Sequence, residues 1–143
     1  MQTNPVDTLN ELLRGEISAV ETYRQALEKL SGSPNRAELE ECRRSHEMRV
    51  QKLREQVVRL GGNPDETSGA WGTFAKLFEG GAKAFGEKAA IAALEEGEDH
   101  GLRLYKGDID KLDPASRALV EQDVLPAQER THRSLSTLKH AMH

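Results

Sequence analysis

Apolar residues recur along the chain at alternating steps of three and four, which is the spacing of one face of an α-helix. Asparagine, serine or aspartate followed by proline precedes three of these stretches, and glycines follow the first two, as at helix starts and ends. A turn-rich segment, Gly62–Gly72, separates the second stretch from the third. We therefore predict four helices, with a bend at Gly80–Gly81 and a kink at Pro126. The four predicted helices are Val6–Leu30, Asn35–Leu60, Phe74–Leu112 and Ala115–Ala141.

Each apolar stripe is interrupted near its middle by a side chain that could bind a metal. Glu16 interrupts the first stripe, His46 the second and Glu98 the third. Glu129 and His132 lie among the leucines of the fourth stripe, three positions apart and so on one helical face. At about 1.5 Å of rise per residue, all five lie at similar heights if the helices form two antiparallel hairpins. We expect them to meet in the middle of an all-α, four-helix bundle.

Length, charge and composition narrow the class of protein. The 143 residues fit a single domain spanning 1–143. With 24 acidic against 20 basic residues, the net charge of −4 argues against binding nucleic acid. The longest apolar run, Ala89–Leu94, is too short for a membrane span. One cysteine, Cys42, cannot form an internal disulfide, so we expect a cytoplasmic protein.

Carboxylates that face one another in an apolar core need protons, cations or a metal, because burying an unpaired carboxylate costs several kcal/mol. A mixture of carboxylate and imidazole ligands suits iron or manganese. One interpretation is therefore an Fe or Mn site that supports weak oxidation of Fe(II) by oxygen or peroxide. Its ligands would be Glu16, His46, Glu98, Glu129 and His132.

The alternative interpretation needs no metal. Arg43 lies one turn before His46 and could reach inward as a permanent cation that neutralises two carboxylates. The chain would then be a non-catalytic helical bundle for protein interaction.

A weak internal repeat relates the two halves of the chain. Glu16 is followed seven residues later by Tyr23, and Glu98 by Tyr105, with a small residue three positions after each glutamate. Together with the Glu129-x-x-His132 motif, these segments resemble the ferritin-like superfamily. The Gly61-Gly62 loop, the stretch GEDHGLRLY ending at Tyr105 and the glutamine-rich last helix resemble most closely a bacterial ferritin-like family of unknown function. The resemblance covers nearly the whole chain and implies an antiparallel four-helix bundle built from two helical hairpins.

The resemblance also implies a metal site, with a glutamate on helices one and three and Glu-x-x-His on helices two and four. In this sequence Arg43 stands where helix two should carry its bridging glutamate. The resemblance therefore implies Glu129 as the only bridge, with Glu16 and His46 on one side and Glu98 and His132 on the other. Independently of the resemblance, we expect Tyr23 and Tyr105 to be core residues whose hydroxyls bond to neighbouring carboxylates, rather than redox participants.

Aromatic residues cluster where the third helix is predicted to begin. Four long helices that expose additional aromatic side chains commonly dimerise, so we expect a homodimer. The residues of this edge are Trp71, Phe74, Leu77, Phe78 and Phe85.

Overall fold

The computed structural model of the chain describes residues 4–69 and 83–142, apart from the side chains of residues 83–85. Those ranges contain helices and no strand, which confirms the all-α prediction for them. No helix within them has both the length and the apolar composition that a membrane span requires. The four helices are α1 (Pro5–Lys29), α2 (Arg36–Arg59), α3 (Lys83–Asp108) and α4, in which a π-helical turn (Val120–Val124) joins the α-helical segments Pro114–Leu119 and Leu125–Ala141.

The predicted ends of the first, second and fourth helices agree with the structure to within one residue, whereas the predicted start of the third, Phe74, lies outside the described residues. The Asn4 side chain caps α1 by accepting a hydrogen bond from the backbone N–H of Val6 at 2.9 Å, and Pro5 follows it. Asp113 caps α4 in the same way through the N–H of Ser116 at 3.3 Å. The α-helical part of α3 stops at Asp108 and continues as a 3-10 turn, Ile109–Lys111.

Two interruptions differ from the predicted ones. In α3, Gly86 has φ 79° and ψ −166°, a non-helical conformation that glycine adopts at little cost. In α4, the irregular turn Val120–Val124 ends two residues before Pro126. Because proline lacks an N–H and its ring clashes with the preceding turn, that turn opens into a π-helix. The predicted bend at Gly80–Gly81 lies outside the described residues, as do Trp71, Phe74, Leu77, Phe78 and the Phe85 side chain.

The Asn4 cap provides a direct test of how α1 begins. Asn4→Ala is expected to lower the free energy of unfolding by about 1 kcal/mol, because one backbone donor loses its acceptor. Urea denaturation measures this loss. Asn35→Ala is the matched control, since Asn35 precedes α2 without making a side-chain cap bond. Equal losses in the two variants would show that the cap does not hold the start of α1.

The four helices pack in two pairs. α1 packs chiefly against α2, and α3 against α4, while α1–α3 and α2–α4 contacts join the two pairs into a helical bundle. The segment after α2 is held against α1, because Asn10 donates to the Asn63 carbonyl at 3.0 Å and accepts from the Asp65 N–H at 2.9 Å. Arg14 forms an ion pair with the Asp65 carboxylate.

The apolar core is divided into two clusters. One cluster contains Tyr23, Ala26, Leu27, Leu39, Cys42, Ala90, Ile91, Leu94 and Leu135. The other contains Leu9, Leu12, Leu13, Leu53, Val57, Tyr105, Leu112, Val120 and Val124. In every helix, the residues of one cluster precede the middle of the helix and those of the other follow it. A layer of buried polar side chains fills the interval between them.

Candidate functional site

All four helices contribute to the polar interval between the apolar clusters. We call this set the ionic layer, and none of its members is more than 4% exposed. α1 and α3 each supply a glutamate and a tyrosine, α2 supplies a histidine and an arginine, and α4 supplies a glutamine and a threonine. The members are Glu16, Tyr23, His46, Arg49, Glu98, Tyr105, Gln128 and Thr131.

His46 lies between two carboxylates at the centre of the layer. Its Nδ1 is 2.5 Å from Glu16 Oε1, and its Nε2 is 2.6 Å from Glu98 Oε2. Burial and Arg49 favour the neutral ring, but the charges of Glu98 and Glu16 outweigh them and raise the pKa of His46. The pKa values of both glutamates are lowered, and ionised carboxylates only accept hydrogen bonds, so the geometry favours donation from both ring nitrogens and an imidazolium form of His46.

The remaining carboxylate oxygens of the layer are also bonded. Glu98 Oε1 accepts from Thr131 Oγ1 at 2.6 Å and from Gln128 Nε2 at 3.0 Å. Glu16 Oε2 accepts from the Tyr105 hydroxyl and from Arg49 Nη1, the latter at 3.3 Å. Every oxygen of the two glutamates therefore has at least one donor.

These donors keep both glutamates ionised despite their burial. Desolvation alone would raise the pKa of Glu98, but His46 and then Arg49 and Thr131 hold it at about 2. Desolvation likewise opposes ionisation of Glu16, and Arg49 and His46 reverse the effect and lower its pKa. Two carboxylates and two cations give the layer a net charge of zero.

The internal repeat of the sequence corresponds to a pair of crossed hydrogen bonds. Tyr23 on α1 donates to Glu98 Oε2 on α3 at 2.5 Å, and Tyr105 on α3 donates to Glu16 on α1. Each tyrosine thus bonds to the glutamate of the other half of the chain. The expectation that these tyrosines bond to neighbouring carboxylates agrees with this geometry.

Arg49 is the second cation of the layer and joins α2 to α4. Its guanidinium donates to Thr131 Oγ1 at 3.0 Å, to Ser45 Oγ at 3.1 Å and to the side-chain oxygen of Gln128. Gln128 also donates to the Glu98 backbone carbonyl at 2.8 Å. A Cβ atom on Gly101 would lie 2.9 Å from the Gln128 amide nitrogen, so glycine there allows this close approach.

Three of the five predicted ligand residues meet in the layer, and two do not. Glu16, His46 and Glu98 converge as expected. Glu129 is half-buried outside the layer, and His132 Nε2 lies 3.7 Å from both Glu95 and Asp99. The prediction that all five meet is therefore wrong.

The error arises because the prediction placed the inward-facing positions of α4 one residue too late in the sequence. The inward-facing pair on α4 is Gln128 and Thr131, each one position before a predicted ligand and separated by the same three residues. One residue is a rotation of about 100° around a helix of 3.6 residues per turn, which turns Glu129 and His132 off the core.

Arg43 does not enter the layer, so its predicted contact with the buried carboxylates is also wrong. Its guanidinium bonds to Glu47 at 2.8 Å and lies 3.6 Å from Glu40, both on α2, and its side chain is 23% exposed. Arg49 takes the role that was predicted for Arg43. A strict alternation of three and four from Leu39 reaches both His46 and Arg49, so the spacing allows Arg49 on the inner face, but the spacing alone does not identify it as a buried cation.

The donor set does not fit the predicted iron or manganese centre. His46 is held between the two carboxylates through both nitrogens, and a permanent cation lies beside Glu16. In residues 4–69 and 83–142, no three or more His, Cys, Asp or Glu side chains are placed to hold a metal ion.

A small cavity adjoins the layer between α1 and α3. Its volume is about 40 Å³, which is room for roughly two or three water molecules. Small residues on both helices form part of its wall, and the carboxylates and tyrosines of the layer face it. The small wall residues are Gly15, Ser18, Ala19, Gly97 and Gly101.

The fold and the layer define an all-helical protein with a buried, charge-neutral ion network. Residues 4–111 match the DUF2383 family, a domain of unknown function, and the chain belongs to that family. This confirms the prediction of an uncharacterised family, and the match includes α1, α2 and α3 but not α4. No curated protein and no solved structure matches the chain.

Proposed function

We propose that this protein is a metal-free helical bundle that serves as a non-catalytic module for protein interaction. His46 carries the proposal, because one imidazolium bonds to both buried carboxylates and so occupies the position between them that a metal ion would need. Arg49 supplies the second positive charge. The proposal keeps the metal-free interpretation of the sequence and replaces Arg43 with these two residues.

Electrostatics favours this assignment over a bound divalent ion. A metal ion that bound to both Glu16 and Glu98 would have to displace the imidazolium from its two bonds of 2.5 and 2.6 Å. The ion would also stand close to the Arg49 guanidinium, which is 3.3 Å from Glu16. Like charges repel strongly at such separations in a buried site. The neutral layer already satisfies both carboxylates without that cost.

The proposed interaction role is assigned to the outer faces of the helices. Charged side chains there pair with one another both along one helix, as Arg43 does with Glu47, and between helices, as Lys52 does with Asp123. Among them, Met48 is 58% exposed and Val58 is 57% exposed, both on α2. Methionine is enriched at contact surfaces between proteins, and the rim of such surfaces is polar. The predicted homodimer remains a proposal, and light scattering at several protein concentrations tests it.

We also infer a ferritin-like arrangement of the four helices. The main pairings of α1 with α2 and α3 with α4, together with the α1–α3 and α2–α4 contacts, support it. So do the crossed bonds of Tyr23 and Tyr105, which relate the two halves of the chain. A crystal structure tests this arrangement directly.

Metal analysis tests the metal-free proposal. Protein purified without chelator is expected to contain less than about 0.1 equivalent of iron or manganese, and calorimetry is expected to show no binding of Fe(II) or Mn(II), because the imidazolium fills the site. Stoichiometric binding that is lost in Glu98→Gln but kept in Glu129→Gln would contradict the proposal.

A second candidate is the iron or manganese protein that the ferritin-like resemblance implies, with weak oxidation of Fe(II) by oxygen or peroxide. The observation that favours it is the convergence of Glu16, His46 and Glu98 beside a cavity. The same metal analysis separates the two candidates, since the second requires stoichiometric metal.

A further inference from the structure

We propose that Tyr23 and Tyr105 donate single electrons to small oxygen-centred radicals, while Glu98 and Glu16 receive the phenolic protons. This activity goes beyond the proposed function and depends only on the crossed tyrosine–glutamate bonds and the cavity beside them. The oxidants would be of the peroxyl class. The two residues are the only tyrosines of the chain.

The hydrogen bonds define where the proton goes. Tyr23 is 2.5 Å from Glu98 Oε2, and the Tyr105 hydroxyl bonds directly to Glu16. When an electron leaves a phenol, its O–H bond breaks and a carboxyl O–H bond forms along the existing hydrogen bond. The products are a neutral tyrosyl radical, a protonated glutamate and the peroxyl radical reduced to its anion. No proton has to reach solvent.

The charges of the layer determine the protonation of the phenols and of the glutamates that accept their protons. Burial and the neighbouring glutamates raise the pKa values of both tyrosines, so each phenol keeps its proton until it is oxidised. Both glutamates are ionised and can accept a proton. His46 bonds to both acceptors, so the five groups form one continuous chain from Tyr105 to Tyr23.

The cavity gives a small oxidant a place beside the phenols. Tyr23 and Tyr105 both border it, and its wall between α1 and α3 includes Gly15, Gly97 and Gly101. Its volume of about 40 Å³ limits access to molecules of a few atoms. A larger oxidant, which does not fit the cavity, would have to accept the electron from outside it.

The test uses hexachloroiridate(IV), a one-electron oxidant, and freeze-quenched electron paramagnetic resonance. The background is a Trp71→Phe, Cys42→Ala protein, which lacks the chain's single tryptophan and single thiol. A tyrosyl signal is expected that narrows when the tyrosines are ring-deuterated. Its yield is expected to fall in Tyr23→Phe and in Tyr105→Phe and to vanish in the double variant. The absence of a tyrosyl signal in the background protein overturns the proposal.

The pH dependence separates proton transfer to glutamate from simple exposure of a tyrosine. Free tyrosine is oxidised faster as pH rises, about tenfold per unit, because its phenolate fraction grows. The protein's oxidation rate is expected to change less than about twofold between about pH 6 and pH 8, because the proton acceptors are already ionised. A rate that follows free tyrosine overturns the proposal.

A variant of Glu98 tests whether this carboxylate is the proton acceptor for Tyr23. Glu98→Gln keeps a hydrogen-bonding oxygen but removes the basic carboxylate, so it is expected to suppress the Tyr23 radical and spare that of Tyr105. Circular dichroism checks that the variant is folded, and the phenylalanine variants provide the result if it is not. Equal radical yields at both tyrosines in folded Glu98→Gln would contradict the assignment of Glu98 as acceptor.

Discussion

Replacing His46 with leucine is expected to lower the free energy of unfolding by about 3–5 kcal/mol, the range for removing one partner of a buried ion pair. The variant leaves Glu16 and Glu98 facing each other with Arg49 as their nearby cation. Both carboxylates also lose a hydrogen bond although they stay buried, at 3% and 2% exposure. Urea denaturation followed by circular dichroism measures the loss.

His132→Leu is the matched control for this prediction. His132 is 24% exposed and lies 3.7 Å from its nearest carboxylates, so its loss is expected to cost less than about 1 kcal/mol. If His46→Leu does not fold, His46→Gln, whose amide can still donate to one carboxylate, supplies the measurement. Similar small losses for the His46 and His132 variants would show that the imidazolium does not hold the layer together.

A double-mutant cycle distinguishes the ion pair from the packing of the ring. Glu98→Gln removes one of the charges that His46 neutralises. The double variant His46→Gln, Glu98→Gln is therefore expected to lose less free energy of unfolding than the two single variants lose in sum. Coupling between contacting groups of this kind is typically about 0.5–3 kcal/mol. Additive losses would mean that His46 contributes by packing alone.

The starts of α1 and α4 are predictable from the sequence because local chemistry decides where these two helices begin. Asn4 and Asp113 each place a capping oxygen before a proline, and both residues cap helices in the structure. Gly86 could not be predicted as a break, because a single glycine inside a helical pattern is usually tolerated. The π-helical turn before Pro126 is a compromise between proline geometry and packing, and the proline alone indicates only that some distortion occurs.

The site was harder to predict because the apolar residues of one helix fit more than one set of inward-facing positions. Glu16, His46 and Glu98 were identified because each interrupts a run of apolar residues. On α4, Val124 and Leu125 are both apolar, and starting from Leu125 rather than the buried Val124 leads to Glu129 instead of Gln128.

Arg49 was missed for a different reason. Arginine is almost never fully buried, so its place in a helical stripe normally indicates solvent. Only the two glutamates that require a counter-charge make its burial favourable, and those lie on other helices. The cation that completes the layer follows from its tertiary contacts and not from the pattern of its own helix.

Stability should show an optimum in pH that is set by the layer. Glu98 has a pKa of about 2 in the folded protein against an ordinary value of 4.5. A group whose pKa is lowered by folding contributes stability above its unfolded pKa, and that contribution is lost as pH falls through the folded value. For Glu98 this contribution is about 3 kcal/mol, lost between about pH 4.5 and pH 2. Glu16, whose pKa is also lowered, adds to the loss in the same direction.

His46 is expected to make the stability of the protein fall at alkaline pH. Folding raises its pKa above the ordinary value of 6.5, so its contribution is complete below pH 6.5 and is lost as pH rises through the folded value. The urea midpoint is therefore expected to be highest between about pH 4.5 and pH 6.5 and to fall on both sides. Glu98→Gln should flatten the acid limb, and His46→Gln the alkaline limb. A midpoint that rises steadily from pH 6.5 to pH 9 would mean that His46 is neutral in the folded protein, and the bridge between the two carboxylates would then need another cation.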